Sequence, residues 1–393
     1  MSTLSQPRPV TAPVRGLAPL RVLHVYKDYP PVHGGIEHHI RSLAEAQVQG
    51  GMDVTVLVTA QNGSAGRAVE RGVDVIRARK WLDLFSTPLS TELLRWQRRL
   101  PADIVHLHAP YPLGEFAHVM TRNAAPLVVT YHADVVRHRI AWPLYRPVLR
   151  EILSRAFRII VSNPCLPQTS ALLAPMEAKC CVVPFGVDSS AWANPDPEQV
   201  RRIRDRWGGG RRLVLFVGRL RAYKGLEYLI DAMGSTDCSL LVVGDGPRRE
   251  VLERQARASS AHARIHWAGE AQDDALANYY AAADLFVLPS SDRGEAFGLA
   301  MLEAMSAGTP AVCTELATGT SWVNRAGETG AVVPPRDSAA LASAITRLLS
   351  DDNLRLALGR GARERANSTF STRAMVDGVD RVYRAAVGHE GRH

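Results

Sequence analysis

Short apolar runs rich in β-branched residues recur along the chain and alternate with segments of helical periodicity, such as Ile36 to Gln49. The first set of runs comprises Val22 to Tyr26, Val54 to Thr59, Val73 to Ile76, Ile104 to His108, Leu127 to Tyr131, Arg158 to Ser162 and Cys181 to Pro184. The second set comprises Leu213 to Val217, Leu240 to Val243, Arg264 to Trp267, Leu285 to Leu288, Pro310 to Cys313 and Ala331 to Val333. Strands that alternate with helices predict parallel sheets covered by helices on both faces.

A polar stretch from Asp188 to Arg212, with two prolines and the run Gly208-Gly209-Gly210, separates the two sets and is typical of a linker. We therefore expect an α/β protein with a disordered tail (1–19), two doubly wound Rossmann-like domains (20–190 and 213–393) and a linker (191–212). Packing against the first domain is an alternative placement for the last helix. Ligands of such sheets bind in the crevice at the carboxyl ends of the strands, so we expect a central cleft.

Length and composition agree with two globular domains, since the chain has 393 residues, 46% of them hydrophobic and 22% charged. No apolar run reaches the roughly 18 residues that span a bilayer, and the amino terminus lacks the apolar segment of a signal peptide. The cysteines are odd in number and have no CxxC spacing; they are Cys165, Cys180, Cys181, Cys238 and Cys313. These features favour the reducing cytoplasm.

The net charge of +8 allows anionic partners. The arginines are scattered along the chain, and no basic block is interleaved with aromatic residues. We therefore expect no nucleic-acid partner.

The strongest motif is SDRGEAFGLAMLEAMSAGTP, which directly follows a predicted strand at Ser291 to Pro310. Phe297, Gly298 and Leu299 are expected to open a helix whose amides hold a diphosphate, with Gly298 allowing a close approach to the backbone. Glu295 and Glu303 suit hydrogen bonds to hydroxyls of a sugar and of a ribose. An amphipathic helix with two solvated glutamates is the structural alternative.

Two further turns follow predicted strands. The segment FVGRLRAYKG places Arg219 and Lys224 where two fixed cations would balance the charge of a departing diphosphate. The pair Gly34-Gly35 follows the first strand, and glycine permits unusual torsions and close approach to a ligand. Two surface cations and a plain tight turn are the respective alternatives.

Histidines and metal ligands require separate treatment. His106 and His108 alternate on one predicted strand and suggest zinc, but no third ligand is evident nearby, so packing or hydrogen bonding is favoured. His132, at the carboxyl end of the next strand, is expected to contact substrate, with a structural role as the alternative. No Asp-x-Asp pair occurs, and the Gly244-Asp245-Gly246 turn lacks the third glycine of a dinucleotide fingerprint. We expect neither a metal nor a cofactor.

Six ordered motifs make the chain resemble family 4 of the retaining glycosyltransferases, which have the GT-B fold. They are GGIE at 34–37, TYHAD at 130–134, VPFGVD at 183–188, GRLRAYKG at 218–225, GDGP at 244–247 and EAFGLAMLE at 295–303. One departure is the segment after Cys313, where many members have a Gly-Gly loop and this chain has Thr314 to Asn324. The sequence of this segment is similar to that of bacterial enzymes that assemble surface polysaccharides, some of them mannosyl- or rhamnosyltransferases.

The resemblance implies a hexose transfer from a nucleotide diphosphate sugar, with retention at the anomeric carbon and a weak preference for GDP-mannose or a similar donor. It implies that Gly34 and Gly35 approach the donor and that Arg219 and Lys224 bind its diphosphate. Glu295 would contact the donor sugar, Glu303 the ribose, and His132 the transferred sugar. The acceptor would be a hydroxyl of a glycan, a glycolipid or another acceptor.

Three other functions remain open from the sequence: a nucleotide sugar epimerase, a sugar phosphorylase, and a sugar-nucleotide binder without turnover. We also expect the segment from Arg137 to Arg158 to dock on an anionic membrane face, which would make the cytoplasmic protein peripheral. Its basic side would carry Arg146, Arg150 and Arg158, and its apolar side Leu149, Ile152, Leu153 and Phe157, with Trp142 and Tyr145 in the interfacial zone. A helix packed on its own sheet is the alternative.

Overall fold

The computed structural model describes residues 19–32, 34–60, 65–84, 87–121, 123–134 and 142–390. Within this part of the chain, two doubly wound α/β sheets face each other, and the expected fold class is confirmed. The expected tail lies outside the described residues except for its last position.

Eight strands form the first sheet, in the order β10-β9-β8-β7-β1-β2-β4-β3. Their bounds are β1 Arg21–Val25, β2 Asp53–Thr59, β3 Gly66–Glu70, β4 Val73–Ala78, β7 Ile104–Ala109, β8 Leu127–Tyr131, β9 Arg158–Val161 and β10 Cys180–Val182. The expectation of a purely parallel sheet is wrong at one edge, because β3 runs antiparallel to β4. β3 is mostly exposed and polar and therefore lacks an apolar run. A small hairpin, β5 Leu82–Leu84 with β6 Thr87–Leu89, was also not predicted.

Six parallel strands form the second sheet, in the order β13-β12-β11-β14-β15-β16. Their bounds are β11 Leu213–Val217, β12 Ser239–Val243, β13 Ile265–Gly269, β14 Leu285–Leu288, β15 Ala311–Thr314 and β16 Gly330–Val333. The strand order reverses between β1 and β7 in the first sheet and between β11 and β14 in the second. Each reversal creates a crevice at the carboxyl ends of its strands, and the loops after β1, β11 and β14 line these crevices.

Helices cover both faces of each sheet. The helices of the first half are α1 Gly35–Gln49, α2 Thr91–Arg99, α3 Pro112–Thr121, α4 Trp142–Arg155 and α5 Cys165–Thr169. Those of the connecting segment and second half are α6 Ser190–Ala193, α7 Pro197–Ile203, α8 Leu226–Met233, α9 Arg249–Ala258, α10 Asp273–Ala282, α11 Leu299–Ala307, α12 Thr320–Val323, α13 Ser338–Ser350, α14 Asp352–Thr369 and α15 Thr372–Glu390. The segment expected to be a linker thus carries short helices.

The final helix α15 returns to the first sheet, where Met375, Val379 and Tyr383 are buried against Val22 and Ile104 among other core residues. The domain limits given above stay predictions.

The expected membrane-docking surface is wrong in its apolar part. Leu149, Ile152 and Leu153 on α4 are fully buried in the core of the first domain, because this helix packs on its own sheet. α4 ends at Arg155, so Arg158 is not on the helix but begins β9. Two of the arginines in that segment, Arg137 and Arg139, lie outside the described residues. Of the described helices, none is long and apolar enough to span a membrane.

Candidate active site

The turn after β11 and the loop after β14 are pressed together. Gly225 has a left-handed φ of 65°, and any side chain there would collide with the carbonyl oxygen of Pro289. The backbone N–H of Ser291 donates to the carbonyl oxygen of Tyr223 at 2.8 Å. Glycine at position 225 therefore lets the two strongest motifs of the sequence form one site.

Lys224 and Glu295 form an ion pair at this junction, with side chains only 12% and 9% exposed. The Nζ of Lys224 lies 2.6 Å from Oε2 of Glu295, which also accepts from the Ser290 hydroxyl at 3.2 Å. Burial acts to lower the pKa of Lys224, but the Glu295 carboxylate and the nearby Tyr223 outweigh it and raise the pKa above its usual value. Lys224 is therefore a fixed cation at neutral pH.

Arg219 differs from Lys224, since its side chain is exposed and makes no hydrogen bond or ion pair with the described residues. Across the cleft, burial is the main cause that raises the pKa of Glu37; Asp28 adds to the effect, while Lys27 and Arg219 oppose it. The Arg219 charge thus acts on a carboxylate of the first domain. Glu37 was not among the site residues predicted from the sequence, although the GGIE motif contains it.

The glycine pair after β1 lies against the second domain. A side chain at Gly34 would collide with the Glu37 carboxylate, and a Cβ at Gly35 would lie 3.2 Å from Leu299 Cδ1. The argument from torsions is wrong for Gly34, because its φ of −179° is extended backbone that any residue adopts. At both positions the contact is with the far end of a flexible side chain, which a small shift would relieve.

Helix α11 begins at Leu299, so Phe297 and Gly298 precede it and do not form its first turn as expected. Gly298 has a φ of 86°, and a Cβ there would lie 2.9 Å from the Leu288 side chain. Glycine at position 298 therefore suits both the left-handed backbone of the turn and the close packing of the Leu288 side chain. Phe297 is buried against Phe185 of the first domain, with ring centroids 4.9 Å apart. The first N–H groups of α11 still point out of the helix end, where an anion is stabilised.

Glu303 lies on the same helix, and its Oε2 accepts from the Tyr280 hydroxyl at 2.7 Å. Part of the segment that departs from the family, Thr314 to Asn324, supports the loop from behind. Thr318 donates its hydroxyl to the Glu295 carbonyl oxygen at 2.9 Å, and the Gly319 N–H donates to the Ala296 carbonyl at 2.8 Å. Sequence reasoning missed this support, because it depends on contacts between distant loops.

The Gly244-Asp245-Gly246 turn has a supporting position as well. The Leu220 N–H donates to the Asp245 carbonyl oxygen at 2.9 Å, and a side chain at Gly246 would crowd the Leu220 backbone. This turn therefore packs behind the turn that carries Arg219.

Contacts across the cleft connect the two domains beside the site. The Arg293 guanidinium lies 3.5 Å from the Asp134 carboxylate and donates to the Thr169 hydroxyl at 2.8 Å. The Asn163 side-chain amide lies 3.5 Å from the Ala296 carbonyl oxygen. These contacts link the loop of Glu295 to the loops after β8 and β9.

His132 directly follows β8 and is buried beside Phe185, with ring centroids 5.5 Å apart. Phe185 in turn contacts Phe297, so His132 lies one ring away from the segment that precedes α11. Burial lowers the pKa of His132 to about 3, so its ring is neutral at physiological pH.

The expectation that no third ligand lies near His106 and His108 is wrong. His24 on β1 lies beside them, and ligand nitrogens of the three side chains are within 4.8 Å of one another. All three residues are buried, and their ring nitrogens make hydrogen bonds to protein groups. A purely local sequence argument could not find His24, because it lies on another strand.

The described site thus combines an ion-paired lysine, an exposed arginine, one carboxylate in the loop before α11 and one in the middle of that helix, and a neutral histidine across the cleft. Cations and helix amides suit a diphosphate, and carboxylates suit hydroxyl groups.

Comparisons with known proteins agree with the motifs. The family described as Glycosyltransferase Family 4 matches residues 33–191, and the family described as Glycosyl transferases group 1 matches residues 200–365. The D-rhamnosyltransferase WbpZ of Pseudomonas aeruginosa is 36% identical over 355 residues, which cover 90% of this chain and 92% of that protein. The O-antigen chain mannosyltransferase C of Escherichia coli is 30% identical over 367 residues, which cover 93% of this chain and 98% of that protein.

Among solved structures, the sucrose-phosphate synthase of Thermosynechococcus elongatus superposes with a TM-score of 0.80 at 23% identity. The match covers 94% of this chain and 100% of that one. At this identity the likeness concerns the fold alone, and it confirms the GT-B arrangement of two Rossmann-like domains.

Proposed function

This chain belongs to the glycosyltransferases of family 4 and group 1, and we propose that it transfers a hexose from a nucleotide diphosphate sugar to a hydroxyl of a glycan or lipid-linked acceptor. The transfer proceeds with retention at the anomeric carbon. GDP-mannose, or a closely related GDP-linked sugar, is the favoured donor. The similarity to a D-rhamnosyltransferase and an O-antigen mannosyltransferase supports this choice.

The observation that carries the proposal is the ion pair of Lys224 and Glu295, held where the turn after β11 meets the loop after β14. Lys224 supplies positive charge for the diphosphate, together with Arg219 and the amide end of α11. Glu295 lies beside it, where sugar hydroxyls next to that diphosphate would lie. Glu303, further along α11, accepts from the ribose, and Gly34 and Gly35 make room for the donor.

Retention follows from a front-face attack. The bond from the anomeric carbon to the diphosphate oxygen breaks, and the acceptor oxygen bonds to the same face. The acceptor proton passes to the departing diphosphate oxygen, whose charge Arg219 and Lys224 balance. Glu295 is held by Lys224 and Ser290, which suits it to orient hydroxyls more than to act as a nucleophile.

The proposal is tested by incubation with GDP-, UDP-, dTDP- and ADP-sugars, with nucleotide release measured with and without candidate glycan acceptors. We expect release from a GDP-hexose that rises when an acceptor is added. Conversion of the donor sugar without any acceptor would instead identify an epimerase. Release of nucleotide from none of the donors would contradict the proposal.

We predict that activity survives chelation. Arg219 and Lys224 supply positive charge at the diphosphate, and the chain has no Asp-x-Asp pair to hold a metal on it. The initial rate is measured after dialysis against EDTA and again after addition of magnesium or manganese. A rate that vanishes in EDTA and returns with either metal would contradict the assignment.

We predict that Glu303→Ala weakens binding of the free nucleotide by about tenfold, because the ribose loses a charged hydrogen-bond acceptor. Titration calorimetry with the nucleoside diphosphate measures the effect. Tyr280→Phe is the matched control: it removes the hydroxyl that donates to Glu303 and keeps the carboxylate. Nucleotide affinity unchanged in Glu303→Ala would remove this residue from the ribose site.

Membrane docking of the first domain stays a prediction, with a smaller surface than the sequence indicated. On the first turns of α4, Leu144 is 82% exposed and Arg146 and Arg150 are exposed. Each basic residue near an acidic leaflet contributes about 1 kcal/mol. We therefore expect co-sedimentation with acidic vesicles at low salt that decreases in an Arg146→Glu/Arg150→Glu variant. An Arg254→Glu/Arg257→Glu variant on α9 makes the same charge change in the second domain and should bind normally. Equal sedimentation with acidic and neutral vesicles would exclude docking.

A further inference from the structure

Three buried histidines and a glutamine form one continuous file of hydrogen bonds under the cleft. Gln47 Oε1 lies 2.8 Å from His24 Nε2, and His24 Nδ1 lies 3.0 Å from His108 Nε2. His108 Nδ1 lies 3.1 Å from His132 Nε2. Neighbouring rings are nearly parallel, with interplanar angles of 24° and 21°. The file begins on α1 and ends at the residue that follows β8.

Each imidazole in the file carries one proton. Burial lowers the pKa of His24 to about 4 and of His132 to about 3, and it lowers the pKa of His108 well below its usual range. A neutral imidazole has one N–H donor and one acceptor nitrogen. The tautomer of one ring therefore dictates the tautomer of the next.

The glutamine sets the direction of the file. With its side-chain Nε2 placed 3.4 Å from the Tyr383 hydroxyl as donor, its oxygen faces His24. An oxygen only accepts, so His24 must carry its proton on Nε2 and accept on Nδ1. His108 must then donate from Nε2, and His132 must do the same.

The Tyr383 hydroxyl, on α15, is free to donate its own proton to His106 Nδ1, 2.6 Å away. His106 then donates from Nε2 to the Thr130 hydroxyl at 2.7 Å. This branch is consistent with the direction of the file.

With the protons in this order, Nδ1 of His132, the last nitrogen of the file, carries no proton. His132 Nδ1 is buried and has no hydrogen-bond partner among the described residues. Because buried polar atoms are nearly always paired, a ligand group is the natural partner of this nitrogen.

We propose that Gln47, His24 and His108 are positioning residues that hold His132 in its Nε2–H tautomer, so that its Nδ1 accepts a proton-bearing group of the bound ligand. This inference rests on the proposed function, which makes that group a hydroxyl of the donor sugar or of the acceptor. A file of opposite order would present an N–H there, which would donate to an oxygen of the ligand and could not accept from its hydroxyl proton.

Ring ¹⁵N–¹H correlation spectra of the whole protein, labelled with ¹⁵N-histidine and recorded without substrate, test the proton order directly. Signals are assigned by single substitution of each histidine. We expect Nε2–H tautomers for His24, His108 and His132. An Nδ1–H tautomer at His132, or a protonated ring at neutral pH, would overturn the proposal. Because this measurement needs no turnover, it is independent of whether the proposed donor is correct.

A matched pair of variants tests the control exerted by Gln47. Gln47→Met removes the oxygen that orients His24, and we expect a mixture of tautomers at His132. We also expect kcat/KM for the donor to fall about threefold to tenfold, as for the loss of one oriented hydrogen bond. Gln97→Met is the control, since Gln97 is equally buried in the same domain and makes none of the hydrogen bonds of the file. A pure Nε2–H tautomer at His132 in Gln47→Met would overturn the role of the glutamine.

Discussion

Replacing Lys224 with alanine is expected to lower kcat by about 100-fold or more, because one preorganised charge at a departing diphosphate has an effect of that order. The Lys224 side chain is only 12% exposed and lies 2.6 Å from Glu295, and its raised pKa keeps it charged across the neutral range. Steady-state kinetics with a saturating donor measure the loss. Thermal unfolding is followed in parallel, because the Glu295 carboxylate loses its cation in the same variant.

Two further variants separate charge from packing. Lys224→Met keeps the apolar stem and removes the ammonium group, so it should lose as much activity as the alanine variant. Arg257→Ala removes a cation from α9 of the same domain, where the side chain is 67% exposed, and should be fully active. Activity near that of the parent protein in Lys224→Met would exclude this residue from the diphosphate site.

Replacing Glu295 with alanine is expected to lower kcat/KM for the nucleotide sugar by about 10- to 100-fold, the effect of losing charged hydrogen bonds to hydroxyls. Affinity for the free nucleotide should remain largely intact, because the proposed partners of Glu295 belong to the sugar. Calorimetry with the nucleoside diphosphate and with the nucleotide sugar measures the two affinities separately. Equal losses for both ligands would contradict the assignment.

The structure adds a consequence for stability. Removing Glu295 leaves the Lys224 charge without its compensating carboxylate, which destabilises the fold. Glu295→Ala should therefore lower Tm, whereas Glu295→Gln keeps a hydrogen-bond acceptor for Lys224 and Ser290 and should lower it less. Because Lys224 and Glu295 act as a pair, the losses in the double variant should be smaller than the sum of the single losses.

Most of the architecture could be predicted from the sequence, because each buried strand is a short apolar run between turns. Loops that follow parallel strands meet at one edge of a sheet, so the positions of Arg219, Lys224 and Glu295 already implied that they lie close together. The antiparallel edge strand β3 could not be found in this way, since an exposed strand carries no apolar run.

The parts of the site that escaped prediction depend on long-range packing. His24 meets His108 across 84 positions of sequence, and Arg293 reaches Asp134 only because the domains face each other. The amphipathic pattern of α4 showed that the helix has an apolar side. It did not show that this side is buried in the sheet beneath, which removes Leu149 from any membrane surface.

We propose that the cleft moves a hexose from a nucleotide sugar onto an acceptor hydroxyl with retention. The most direct measurement is the anomeric configuration of the purified product, from the one-bond ¹H–¹³C coupling at the new glycosidic carbon. An α-linked donor such as GDP-mannose is predicted to give an α-linked product, with the same outcome in EDTA. A β-linked product, or a nucleotide sugar recovered unchanged beside a competent acceptor, would contradict the account.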